Sequence, residues 1–183
     1  NPKENRYNWE LVYCELYAGG KYNNNSSGDY EFSLGLNGLG ACATQYAAEF
    51  FQVTVFRDHT KYEMGFKKGV PVTELMQEPY RFKRTGTIQR WKPDTEVFTE
   101  IIIPLETFKE IIKRQSVINS GIEFILKDAE SGEEFSFMYP EGIKGYVDEL
   151  NDMKGFTETY TFSGEGSGRD KEDRDAYKFR AEV

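Results

Sequence analysis

Apolar residues first recur at helical spacing between Arg6 and Leu16, where Trp9, Val12, Tyr13 and Leu16 fall on one stripe. The spacing predicts an amphipathic helix that Ala18-Gly19-Gly20 ends. From Lys21 to Ser33 the chain turns polar, and Asn23-Asn24-Asn25-Ser26-Ser27-Gly28 is too hydrophilic to build a core. A mobile loop is expected there, and a loop of this length inside a domain reads either as a lid or binding loop or as a linker. After Gly35-Leu36-Asn37-Gly38-Leu39-Gly40, the stretch Ala41 to Phe50 is apolar all round, as suits a helix packed on a sheet. Phe51 to Phe56 then alternates with period two. Arg57-Asp58-His59-Thr60 supplies a turn, and Tyr62, Met64 and Phe66 alternate again, predicting a hairpin.

Lys67 to Pro71 reads as a further turn, followed by an irregular polar stretch to Lys83. Thr85-Gly86-Thr87 leads into a strand that runs to Trp91 and is closed by Lys92-Pro93-Asp94; a β-bulge at Gly86 fits the same residues. Pro104 opens a helix carrying Leu105, Phe108, Ile111, Ile112 and Ile118, and Asn119-Ser120-Gly121 stops it. Ile122–Lys127 and Glu134–Tyr139 form a second hairpin around Ser131-Gly132, and Glu141–Leu150 a short helix. Thr159–Phe162 could be a strand, and Gly164–Asp175 reads as a charged, glycine-rich linker. Tyr177, Phe179, Ala181 and Val183 alternate up to the last residue, the pattern expected of a strand cut off by truncation. No internal repeat is present.

The 183 residues suit one domain, or one domain and the start of another. A net charge of −8 argues against a broad nucleic-acid surface, which needs clustered Lys and Arg to displace counterions. Cys14 and Cys42 fall in predicted helices without zinc spacing, which fits a reduced, cytosolic setting. No signal-peptide pattern and no apolar run of membrane-spanning length appears.

The candidate chemistry lies in the glycine run. Gly35, Gly38 and Gly40 would let the backbone turn tightly and approach an anion, with the N–H groups of the following helix aimed at it. Ordinary tight-turn chemistry explains the same six residues. His59, the single histidine, has no nucleophile or metal-spaced partner near it in sequence and reads as a solvated turn residue.

Taken in order, Glu15-Leu16-Tyr17-Ala18-Gly19-Gly20-Lys21-Tyr22, the polar loop, Tyr30 to Gly40, the hairpin with Arg57-Asp58, Thr85-Gly86-Thr87 and Trp91-Lys92-Pro93-Asp94 resemble the ATPase region of one family. That family is the B-type subunits of the bacterial type II topoisomerases, DNA gyrase and topoisomerase IV. The resemblance covers nearly the whole chain. It implies an α+β fold, a two-layer sandwich whose mixed, mostly antiparallel sheet is covered on one face by helices. This is the ATP-binding fold shared with Hsp90, histidine kinases and MutL. It further implies an ATP-binding domain over 1–156, with the ATP lid at about 18–40, then a linker and the truncated start of a transducer domain over 157–183.

By the same resemblance Lys21, Tyr30 and the backbone of Leu36, Asn37, Gly38, Leu39 and Gly40 would contact the triphosphate, Thr87 would lie beside the adenine pocket, and Arg57 would sit at its outer rim. Glu31 departs from a basic residue found in some relatives, and the lid is slightly longer than in the best-known members. The family's catalytic Glu, its magnesium-binding Asn and its Asp-Gly-x-Gly adenine grip are expected upstream of Asn1, and the transducer lysine downstream of Val183. No catalytic or metal-binding residue is therefore assigned within the chain.

The implied parent uses ATP and Mg2+ to pass one DNA duplex through another, dimerises and works with an A-type subunit. The piece alone is expected to fold at least partly, to carry no bound nucleotide and to have little activity. A non-catalytic nucleotide-binding or regulatory module, and a plain interaction domain whose glycines only pack a helix on the sheet, are the two other readings.

Overall fold

A computed structural model describes residues 5–18, 38–152, 154–169 and 177–183. The chain divides into two compact units, Asn1–Ile101 and Ile102–Val183.

In the first unit, helices α1 (Asn8–Cys14) and α2 (Gly40–Tyr46) accompany a five-stranded sheet. Its strands are β1 (Ala48–Arg57), β2 (Thr60–Lys67), β3 (Val70–Pro71), β4 (Met76–Pro79) and β5 (Gly86–Pro93), ordered β3-β2-β1-β5 with β4 also on β2. Every pairing is antiparallel. Alternation decides which side chains are buried. Phe51 stands opposite Phe66 and Val53 opposite Met64, all four pointing to one face.

Tyr13 of α1 lies against that face, its ring 5.2 Å from Phe51 and 6.0 Å from Phe66, and Trp9 meets Phe66 edge-on at 5.9 Å. Ala48 completes the core, with Cys14, Ala41, Val55 and Leu75 packed around it. Each fully buried Phe or Met here contributes about 1.5–3 kcal/mol. The Tyr13 hydroxyl, raised in pKa by burial, accepts a hydrogen bond from Gln89 Nε2 at 2.9 Å, so β5 is tied to α1 through a satisfied polar contact.

The predicted hairpin forms with Asp58 and His59 as its two turn residues, both at positive φ, 51° and 56°, and His59 exposed. The helix expected over 41–50 is shorter than the pattern suggested. It ends at Tyr46, and Ala48 already pairs with Pro93, because ladder hydrogen bonds to β5 outweigh helical propensity in Ala48, Glu49 and Phe50. Within the stretch read as irregular to Lys83, Met76–Pro79 forms β4 on β2, a pairing that a polar pattern does not announce. Gly86, at φ 149°, enters β5 in unbroken register; the irregularity of this ladder lies instead between Ala48 and Phe50.

The second unit holds α3 (Leu105–Ile118), the hairpin β6 (Phe124–Lys127) and β7 (Glu134–Phe137), α4 (Gly142–Leu150), and the hairpin β8 (Ser163–Gly168) and β9 (Tyr177–Glu182). Pro104 caps α3 from outside its first turn, and Gly121, at φ 78°, turns the chain away after it. The Asp128 carboxylate accepts the N–H groups of Glu130 and Ser131 and organises the β6–β7 loop. Residues 159–162 are not a strand; the strand begins at Ser163, and its residues 164–168 lie inside the stretch read as a linker. Phe162 and Val183 exchange backbone hydrogen bonds at 2.8 and 2.9 Å beyond the end of that ladder.

Candidate functional site

Gly38, Leu39 and Gly40 lead into α2. Gly38 is left-handed at φ 60°, which reverses the backbone just before the helix, and the Leu39 carbonyl takes the first helical hydrogen bond, from the Ala43 N–H at 2.8 Å. Leu39 offers no side-chain cap to the amides of the first turn. Among the described residues no atom beyond Gly40's chain neighbours and its own helix lies within 4 Å of where a Cβ on Gly40 would stand. Packing against these residues does not require glycine at position 40, whereas close approach of an anion to the backbone would. Thr44 Oγ1 donates to the Gly40 carbonyl at 2.9 Å, one turn on.

Arg57 and Thr87 come together at one end of the β1–β5 ladder. Thr87 pairs with Val55 and Gly86 with Phe56, the neighbour of Arg57. Both side chains are exposed, and Arg57 Nε donates to Asp58 Oδ2 at 3.1 Å. Among the described residues no hydrogen bond or ion pair joins this end to Gly38–Gly40. Lys21, Tyr30, Leu36 and Asn37, and most of the segment read as a lid, lie outside the described residues.

The acids of α1 and its C-cap are already engaged: Glu10 Oε1 accepts the Tyr7 N–H at 3.0 Å, and Glu15 pairs with Arg6 at 2.7 Å. Burial pushes the thiols of Cys14 and Cys42 up, making both poor nucleophiles. Among the described residues no group of three or more His, Cys, Asp or Glu is placed to hold a metal ion. Sequence reasoning missed Gln45, five residues beyond Gly40, whose fully buried amide has no partner for its Nε2 or Oε1 among the described residues. A polar residue amid Ala41, Cys42, Ala43 and Ala47 was the one available signal.

An antiparallel sheet carrying two helices on one face, with a glycine turn at the entrance to the second, places the first unit among α+β sandwiches. The chain is homologous to the gyrase B proteins of bacteria. It is 37% identical over 149 residues to the DNA gyrase B protein of Staphylococcus aureus, and 38% identical over 148 residues to that of Staphylococcus epidermidis. Each match covers 79% of this chain and 22% of the relative, so the chain spans about a fifth of the length of these relatives. Its fold matches a solved structure of the 43K ATPase domain of Thermus thermophilus gyrase B in complex with an aminocoumarin. That match has a TM-score of 0.68 and 19% identity, and covers 92% of this chain and 41% of the other. No family model matches the chain.

Proposed function

We propose that the chain forms part of the ATP-binding region of a gyrase-type topoisomerase, holding the triphosphate on the backbone of Leu36 to Gly40 with Lys21 and Tyr30 of the lid. Thr87 lies beside the adenine and Arg57 at the outer rim. The single observation that carries this reading is homology to gyrase B over most of the chain, supported by the turn at Gly38 and the uncrowded position of Gly40. Glycine amides aimed at one point, aided by a lysine, neutralise charge on the β- and γ-phosphates without the reorganisation that water would need.

ATP supplies the phosphoryl group whose transfer to water drives the cycle. This chain's residues bind and orient it. No general base is assigned among them, since Glu10 and Glu15 lie in the wrong segment for that role. The polypeptide alone is therefore proposed to bind nucleotide weakly and to turn over little. Magnesium accompanies the ATP in this reading, without an assigned protein ligand.

The whole protein is proposed to pass one DNA duplex through another, to dimerise, to work with a gyrase A-type or topoisomerase IV A-type subunit and to reside in the cytoplasm. Among the described residues no helix is long and apolar enough to cross a membrane. We further propose an ATP-binding domain over 1–156 and the start of a second domain over 157–183; among the described residues β8 and β9 pair only with each other, which supports a break there, while the compact units divide at Ile101–Ile102.

Gly40→Ala tests the cradle. With open space at the Cβ and better helix propensity, the variant is expected to melt at or slightly above the wild-type temperature, a gain of up to ~1 kcal/mol. Its affinity for a non-hydrolysable ATP analogue, measured by titration calorimetry with Mg2+, should nonetheless fall about tenfold. Equal affinity in the two proteins, or no nucleotide binding by either, would falsify the reading and favour an interaction domain. Full affinity with turnover near that of an intact gyrase B would overturn the assignment of a purely binding role.

A further inference from the structure

Residues Tyr80-Arg81-Phe82-Lys83-Arg84 carry three cations and no acid in a chain of net charge −8. They lie on the face of the first unit's sheet opposite α1 and α2. Phe56, whose side chain alternates away from Val53 and Val55, is buried there beneath this segment. The Tyr80 N–H donates to the His59 carbonyl at 2.7 Å, and the Tyr80 ring stacks at a tilt on Phe56 at 4.8 Å. Phe82 follows edge-on to Tyr80 at 5.6 Å and keeps 53% of its surface exposed. Two guanidiniums are seated on this aromatic ladder: Arg84 over Phe56 at 4.4 Å and Arg81 over Phe82 at 4.5 Å. Among the described residues none of Arg81, Lys83 and Arg84 has an acidic partner. The nearby acids are engaged elsewhere, Asp58 with Arg57, and Glu63 and Glu78 with Lys61.

We propose that this strap is a binding site for a single strand of nucleic acid, with phosphodiesters on Arg81, Lys83 and Arg84 and a base on the open part of Phe82. Seating on aromatic rings holds the two guanidiniums in place before binding, which lowers the entropy lost on engaging phosphates. An exposed ring set between cations is the arrangement that reads a strand by its backbone and stacks its bases without sequence preference. A run of carboxylates alone has nothing to stack on Phe82, and a membrane surface would need more than one apolar side chain to enter it. The strong negative charge of the rest of the chain confines a bound polyanion to this patch. The inference does not depend on the nucleotide reading, and none of the three cations belongs to the glycine turn.

The test is fluorescence anisotropy of a labelled oligothymidylate of about 12 nucleotides titrated with the 183-residue chain at several salt concentrations. Binding at low salt is expected. Arg81→Gln/Lys83→Gln/Arg84→Gln should weaken it about tenfold or more and flatten the dependence of log affinity on log salt by about 0.7 per charge removed. Phe82→Ala should weaken binding about tenfold with the salt slope unchanged. Arg114→Gln/Lys127→Gln, in the second unit, should change nothing. Circular dichroism and melting of each variant confirm that the fold is intact. Absence of binding, unchanged affinity in the triple variant, or equal binding of duplex DNA or polyglutamate would each overturn the proposal.

Discussion

Gln45 lies on the inner side of α2, three residues after buried Cys42, and both its amide nitrogen and its amide oxygen are buried without a partner among the described residues. The indole N–H of Trp9 on α1 shares that condition. An unpaired buried amide costs roughly 1–3 kcal/mol relative to its hydrated state, whereas an apolar group of the same shape costs nothing of the kind. Gln45→Met is therefore expected to leave stability unchanged or raise it by up to ~2 kcal/mol in urea unfolding. A clear loss would mean that the amide is satisfied in solution. Asp94 is the contrasting case. Its carboxylate is buried but receives the Glu96 N–H at 2.9 Å and faces Lys68 at 3.6 Å, so the charge is compensated.

Turns govern the elements of the first unit. Lys68 and Gly69, at φ 47° and 84°, make the two-residue turn between β2 and β3, and a Cβ on Gly69 would stand 2.6 Å from the Tyr46 ring of α2. Gly69→Ala is thus strained twice, by its φ and by the aromatic ring over it. It should lose about 1–3 kcal/mol of stability by thermal or urea unfolding. An unaffected melt would show that Tyr46 swings aside at no cost.

The β1–β2 hairpin was legible because period-two alternation and a two-residue turn are local, and Phe51, Val53, Met64 and Phe66 followed their pattern into the core. Other features of the first unit were not legible. The end of α2 was decided by pairing of Ala48 with Pro93, some 45 residues on, and β4 by backbone hydrogen bonds to β2 that its polar side chains do not report. Of the candidate site, Gly38, Leu39 and Gly40 could be read as a turn into a helix. The meeting of Arg57 and Thr87 could not, because it depends on register across β1 and β5.

At the scale of the molecule, one cluster in the second unit contributes to the response to pH at both ends. Lys113 pairs with Glu149 at 2.6 Å, and the Tyr139 hydroxyl donates to the same carboxylate. Lys113 first, then Tyr139, hold the Glu149 carboxyl below its usual range, and the Thr159 hydroxyl does the same for Asp148 at 2.5 Å. Depressed carboxylates stabilise the fold above their unfolded pKa, about 4, and that stability is lost as pH falls through the lower folded values. Lys113, raised by Glu149, and Tyr139, raised by burial and then by Glu149, act in the other direction. Their contribution is complete below about pH 10 and is lost as pH rises through their folded values. Unfolding followed by denaturant across pH should show a plateau with losses at both ends, and Glu149→Gln should shrink both limbs. A variant with the wild-type profile would remove Glu149 as the cause.

The sequence by itself determined the positions of the helices, the β1–β2 and β6–β7 hairpins, the turn at Gly38, the acidic balance and the kinship with gyrase B, since each is written in local spacing, composition or ordered motifs. Tertiary structure alone decided which strands pair and in what register, which acids are already engaged, and which amide is buried without a partner. It also decided that Arg81 and Arg84 sit on aromatic rings, because burial and cross-strand contact join residues that sequence order keeps apart.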